Sequence, residues 1–310
     1  MTPPRPAYSV IVPTYRRPDV LALCLDRLAG LDYPRDRLEV RVYDNGSPAD
    51  SRSVVEAFRN RLPLTYTLNE PGHGLGYSLR RGARECFGER VVELNDDALV
   101  PPDFLTNLDR AFASGPRVGV VGVRAIEHGY ASNGTGIGRI DTRSRAIVGN
   151  FDQPTDHAVE VEHVYGFCYA YTRELLEAGG GHDAVLLAQD YSTGNRIETD
   201  QCLTARRLGF RVVYDGRIAV EHLAKPRGDV SERSPRWRVN EIRNTLYLFL
   251  KHYGLFGRSF LAARYFLLHD LGVRSAVREP TRKNFGYVWT GLAARWCAIG
   301  HYVEWIGAKG

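Results

Sequence analysis

Apolar residues recur in two alternating patterns over the first two-thirds of the chain. Short, nearly continuous runs such as "SVIV" at residues 9–12 read as buried strands, and the stretches between them space apolar residues three and four apart, as on one helix face. The first unit is a strand, a turn over residues 13–17, and a helix opened by Pro18. In that helix Val20, Leu21, Cys24, Leu25 and Leu28 share a face, and Gly30 follows its end. "LEVRVYDNGSP" and "SRSVVEAFRNRL" predict a second strand and helix. "LTYTLNE", the glycine-rich loop "PGHGLG" and a helix over residues 77–87 make a third pair, and "RVVELNDDALV" opens as a fourth strand. Strands alternating with helices of this length predict β-α-β units and a mostly parallel sheet flanked by helices. Beyond it lie a strand, "RVGVVGV", a glycine-rich loop or irregular ribbon over 129–150, and "HVYGFCYAYTRELLEAGG", a strand running into a short helix. "ETDQCLTARRLGF" is a helix leading to the strand "RVVYDGRIAV" and His222. From residue 231 the pattern turns helical, which predicts a boundary near 225: one domain over 1–225, with halves 7–110 and 111–225, and a helical region over 226–310.

Composition narrows the class. The chain has 310 residues, 44% hydrophobic and 25% charged, enough to bury a sizeable core. Its start lacks the basic and then apolar pattern of a signal peptide, and no stretch reaches the roughly 18 apolar residues of a membrane span. A cytoplasmic protein is expected. Five scattered cysteines, never spaced as CxxC, argue against a disulfide framework or a zinc site and for buried thiols. The net charge of +5 is unevenly placed, because residues from 233 onward hold thirteen Lys and Arg against four Asp and Glu. That excess suits a phosphate-bearing ligand, an anionic membrane surface or nucleic acid, and alone does not choose among them.

In parallel α/β sheets ligands bind outside the carboxyl ends of the strands. The rule selects residues 13–15, residues 44–47, the glycine-rich loop and residues 95–97. Neither that loop nor "GTGIG" carries the spacing of a P-loop or a dinucleotide-binding turn.

Six segments, in order, resemble the inverting family 2 glycosyltransferases of the GT-A fold: "SVIVPTYRRPDVLALCLDRL", "VYDNGS", "NEPGHGLGYSLRRG", "ELNDDALVPPDF", "GFCYAYTRELLEAGG" and "ETDQCLTARRLGFRVVYDGRIAVEH". The resemblance spans residues 7–222. It implies transfer of one sugar from a nucleoside-diphosphate sugar (UDP, GDP or dTDP) to a glycan, lipid-linked or small-molecule acceptor, with Mg²⁺ or Mn²⁺ on the diphosphate. No nucleic acid is implied. Side chains i and i+2 of a strand share a face, so Asn95 and Asp97 pair and Asp96 opposes them. The stretch resembles the family's DxD motif with Asn in first place, which implies Asp97 as metal ligand, Asn95 near the ribose or the metal's water, and Asp96 in the nucleotide site. An acidic turn capping the next segment is the plain alternative.

By the same resemblance Pro13, Thr14, Tyr15 and Asp44 meet the nucleoside; an Asp held in an Asn-Gly turn is the physically sound but less favoured alternative for Asp44, and a plain packing aromatic the alternative for Tyr15. Arg80 stands where the family often has Asn, and faces either the nucleotide or solvent. Glu198 falls where the family's catalytic Asp stands and Asp200 at its second acid; Glu198 is favoured as base, and either could cap its helix. His222 matches a position that binds metal or phosphate in some members, or is structural. Arg236, Arg238 and Arg243 are candidates to close over the diphosphate. "RWRVN" resembles the QxxRW of processive synthases, without the Gln and without membrane helices, so single-sugar addition is expected. The C-terminal aromatic helices could form a homodimer face, touch the inner face of an anionic membrane, or cover the core, with core cover or dimerisation the plainer readings. A nucleotidyltransferase would need a glycine-rich loop where "VPTYRRP" stands, and a non-catalytic sugar-nucleotide-binding protein is the other rival.

Overall fold

The computed structural model of the chain describes residues 5–46, 50–129, 131–132, 135–187, 196–223, 235–268, 271 and 273–308. Eleven strands are present among them: β1 Tyr8–Thr14, β2 Leu38–Asp44, β3 Leu64–Leu68, β4 Arg90–Leu94, β5 Ala98–Leu99, β6 Val118–Ile126, β7 Arg139–Asp141, β8 Ala146–Val148, β9 Val159–Glu160, β10 Cys168–Thr172 and β11 Arg211–His222. The helices are α1 Pro18–Ala29, α2 Asp50–Phe58, α3 Leu75–Glu85, α4 Phe104–Phe112, α5 Arg173–Gly179, α6 Ile197–Arg207, α7 Pro235–Tyr253, α8 Gly257–Leu268, α9 Val273–Arg278 and α10 Arg282–Gly307.

The main sheet runs β3-β2-β1-β4-β10-β6-β11-β5, with β9 paired to β11. β3, β2, β1 and β4 are parallel, as the β-α-β pattern predicts, while β10 is antiparallel to both neighbours. That reversal lays the start of β10 beside the end of β4, with Cys168 opposite Leu94. The glycine-rich ribbon holds the small β7–β8 hairpin.

Helices cover both faces. Leu21 and Leu25 of α1, Val55 of α2, and Phe104 and Leu108 of α4 join one core cluster. Leu79 of α3, Leu175 of α5, Cys202 of α6 and Leu246 of α7 join the other. α3 sits close on β1 because residue 82 is glycine; a Cβ there would lie 2.6 Å from Ile11 Cγ2. Cys24, Cys86, Cys168 and Cys202 are buried thiols as expected, but Cys297 is exposed. The expected boundary near 225 lies outside the described residues. α7 buries Leu246, Tyr247, Phe249 and Leu250 in the same cluster as α3 and α6, so this helix is part of the core.

Candidate active site

The fourth strand ends before the acidic stretch, where the i, i+2 reading requires it to continue through residue 97. β4 stops at Leu94, Asn95 N–H is taken by Phe167 O at 2.8 Å, and Ala98 N–H returns to Asn95 O at 3.1 Å, closing a turn over residues 95–98. Asp96 and Asp97 therefore do not oppose each other: both converge on Arg17, which ion-pairs with Asp96 and reaches Asp97 Oδ2 at 2.9 Å. Thr14 Oγ1 also donates to Asp96 Oδ2, at 2.7 Å. Adjacent buried carboxylates need a compensating cation, and here the fold supplies one. Arg17 is the residue preceding α1, where Pro18 fixes the first turn and Leu21 N–H bonds back to Arg17 O at 2.9 Å.

β11 brings the opposite wall. A bulge between Asp215 and Ala219 carries its end over to β5, where His222 pairs with Ala98 and Leu223 N–H bonds to Asp97 O at 2.9 Å. His222 Nε2 thereby stands 3.6 Å from Asp97 Oδ1, and its Nδ1 donates to Glu127 Oε1 at 2.6 Å. Tyr165 OH donates to the same Glu127 oxygen at 3.1 Å. Burial acts to lower the His222 pKa, but Asp97 and Glu127 outweigh it and hold it raised.

Glu198 and Asp200 both lie in the first turn of α6, in different surroundings. The Glu198 carboxyl packs on Gly166, where an added Cβ would lie 3.0 Å from Oε2, one residue before the Phe167 carbonyl that binds Asn95. Burial raises its pKa. Asp200 accepts from Lys251 Nζ at 2.8 Å and His252 Nε2 at 2.7 Å, both from α7. Burial pushes its pKa up, yet His252 and Lys251 bring the net shift downward.

The nucleoside candidates line the ends of β1 and β2. Pro13 and Thr14 are buried and Tyr15 is half-buried. Asp44 is fully buried and accepts from Tyr66 OH at 3.0 Å. Beside it Asn45, Asn69 and Ser78 form a closed triangle of hydrogen bonds at 2.8–3.0 Å, which ties β2, β3 and α3 together. Arg80 is half-buried on α3, and its charge acts against protonation of His182. Arg236 lies in α7 and its side chain is outside the described residues, Arg243 bonds Asn244 Oδ1 at 2.9 Å, and Arg238 lies over the Tyr287 ring, 3.2 Å from its centroid, on the side of α10.

Four participants escaped the sequence reading: Arg17, Glu127, Lys251 and His252. Arg17 had a visible signal, since it follows β1 on the ligand-binding edge. The other three are distant in sequence from their partners and carry no motif.

A mostly parallel sheet of this strand order with helices on both faces is an α/β architecture, and its likeness to solved glycosyltransferases gives it the GT-A fold. The model of glycosyl transferase family 2 matches residues 9–180, and the chain belongs to that family. Among curated relatives, glycosyltransferase AglE of Haloferax volcanii is 27% identical over 142 residues, 46% of each chain. Glucosyl-dolichyl phosphate glucuronosyltransferase of the same organism is 22% identical over 218 residues, 69% of this chain and 68% of its own. The match spans 46% of AglE's own length and 24–26% of the two validoxylamine A glucosyltransferases from Streptomyces hygroscopicus. Of solved structures, Staphylococcus aureus TarS 1–349 superposes with a TM-score of 0.63 at 16% identity, covering 94% of this chain and 80% of its own. Mannosyltransferase PcManGT from Pyrobaculum calidifontis, in complex with GDP-Man and Mn²⁺, gives 0.57 at 22% identity, covering 97% and 88%. These likenesses establish the fold.

Proposed function

We propose that the protein moves one sugar from a nucleoside-diphosphate sugar to an acceptor hydroxyl with inversion, using Glu198 as base and Asp97 with His222 as protein ligands of a divalent cation. The observation that carries the reading is that Asp97 Oδ1 and His222 Nε2 face each other at 3.6 Å on the sheet edge where Glu198 packs against Gly166. Carboxylate oxygen and imidazole suit Mg²⁺ or Mn²⁺, and a carboxylate on the far ring nitrogen is the usual orienting partner of a ligating histidine. Among the described residues no group of three or more His, Cys, Asp or Glu gathers that could hold a metal. Asp97 and His222 would supply two donors from the chain, with diphosphate oxygens completing the shell. When bound, the cation neutralises the leaving diphosphate.

The chain's own groups divide the remaining work. Glu198, its proton affinity raised by burial, accepts the proton of the acceptor hydroxyl. Asp200, held ionised by Lys251 and His252, anchors the start of α6 and so positions Glu198. Arg17 holds Asp97 by Oδ2, which leaves Oδ1 turned toward His222. Pro13, Thr14, Tyr15, Asp44 and Asn95 face the nucleoside, Asp96 fixes Thr14 beside it, and Arg80 stands on the adjoining helix. The donor nucleoside diphosphate is UDP, GDP or dTDP, and GDP-Man in PcManGT and UDP-GlcNAc in TarS support the first two. Glycan, lipid-linked and small-molecule acceptors all fit a family whose members include a glucosyl-dolichyl phosphate enzyme.

Calorimetric titration with UDP, GDP and dTDP, with and without Mn²⁺, tests the reading. One nucleotide should bind, more tightly with Mn²⁺, and Asp97→Ala should remove the metal effect. Failure of all three to bind, or an Asp97→Ala protein that behaves as wild type, rejects it.

A further inference from the structure

α10 presents two unlike faces. Its inner face is small, with Gly291, Ala294 and Ala298 buried, and a Cβ on Gly291 would stand 3.2 Å from the Arg238 guanidinium. On its outer face Phe285, Trp289, Trp296, Val303 and Ile306 are exposed, the two tryptophans by 74% and 65%. At about 100° per residue these five fall within an arc of about 100°, and at 1.5 Å per residue the stripe is about 30 Å long. Trp296 meets Phe266 of α8 edge-on at 6.1 Å, which fixes the ring while leaving its outer side bare. A continuous apolar stripe of this length marks a surface that binds something.

Charge selects the occupant. Residues 273–310 hold six Lys and Arg but only two acids, Glu279 and Glu304. No acid lies between those two, and Arg278, Arg282 and Lys283 are exposed at one end of the stripe. A second copy would bring this positive rim against itself. An anionic bilayer offers the opposite sign, and indole rings favour the boundary between headgroups and acyl chains. Among the described residues no helix is long and apolar enough to cross a membrane. The same helix has the form of one that lies in the surface plane: apolar and aromatic on one side, with cations alongside.

We propose that α10 docks the protein onto an anionic phospholipid surface, with the Trp289–Trp296 stripe at the acyl boundary and Arg278, Arg282 and Lys283 against lipid phosphates. Flotation of the full chain with vesicles of phosphatidylcholine, with and without phosphatidylglycerol, is the test. The chain should float with the anionic vesicles and remain behind with the neutral ones. Trp289→Ser/Trp296→Ser and Arg282→Glu/Lys283→Glu should each lose about tenfold or more in binding, since each surface cation and each buried ring contributes on that scale. Nucleoside diphosphate binding should be unchanged in both. The glutamates sit at a helix N-terminus, where negative charge favours the helix, so the second variant keeps α10 folded. Three results overturn the proposal: no flotation, equal binding to both vesicle types, or a dimer in sedimentation equilibrium that the tryptophan variant converts to monomer.

Discussion

His222 Nε2 faces Asp97 Oδ1 across 3.6 Å while its other ring nitrogen is held by Glu127 at 2.6 Å. The Glu127 carboxylate can only accept, so the proton sits on Nδ1 and Nε2 is presented to Asp97 as a lone pair whenever the ring is neutral. Orienting carboxylates of this kind contribute about ten- to a hundredfold in metal affinity. Glu127→Gln should therefore weaken Mn²⁺ binding in the presence of nucleoside diphosphate by about tenfold, read by electron paramagnetic resonance of free Mn²⁺. Unchanged affinity would show that the Glu127 contact is only structural.

Arg17 should matter to stability before it matters to catalysis. Its removal leaves Asp96 and Asp97 buried without their cation, and breaking a buried pair from one side costs about 3–5 kcal/mol. Arg17→Ala should lose that much in urea unfolding, and Mn²⁺ with nucleotide, by returning positive charge and binding only the folded state, should recover part of it. A loss below about 1 kcal/mol would mean that water already reaches the acidic turn.

The base assignment makes a prediction in pH. Burial raises the Glu198 pKa, and a base works only when deprotonated. Turnover should fall as pH drops, through an apparent pKa above the usual carboxylate range. Glu198→Gln should cut transfer by about a hundred- to ten-thousandfold, the usual size of general-base catalysis, while sparing donor binding. Normal transfer in that variant would move the role to Asp200.

A second buried pair, outside the site, sets stability against pH. His182 Nε2 donates to Glu93 Oε1 at 2.6 Å, and Tyr169 and Tyr171 donate to the same carboxylate. Burial opposes both charges, yet their coupling raises His182 and lowers Glu93. The His182 contribution is complete below its unfolded pKa of about 6.5 and is lost as pH rises through the raised folded value. The Glu93 contribution is present above an unfolded pKa of about 4.3 and is lost as pH falls through the depressed one. Unfolding free energy should decline on both sides of that window, and His182→Ala should flatten the alkaline limb. An alkaline limb that survives the substitution assigns it to another group.

Much of the fold was legible because its signals are local. Pro18 and the Val20–Leu28 face of α1, or the full burial of β1, follow from periodicity that a single segment carries. The reversed direction of β10 was not legible, since an apolar run has no polarity until it pairs. In the site, the ends of β1, β2 and β4 were found by a rule about parallel sheets, but the pairing of Asn95 with Asp97 was misread. Strand alternation was extended past Leu94, where the bond from Asn95 N–H to Phe167 O turns the chain.

The sequence by itself determined the alternation of elements, the acidic residues at the sheet's edge, the first turn of α6 and the basic, aromatic C-terminal helices, because each depends on residues near one another along the chain. Only the tertiary structure decided which charge meets which. Arg17 lies 79 positions from Asp96, Glu127 95 from His222, and Lys251 51 from Asp200. Electrostatic partners are chosen by distance in space and by exclusion of water, and neither exists until the sheet has formed.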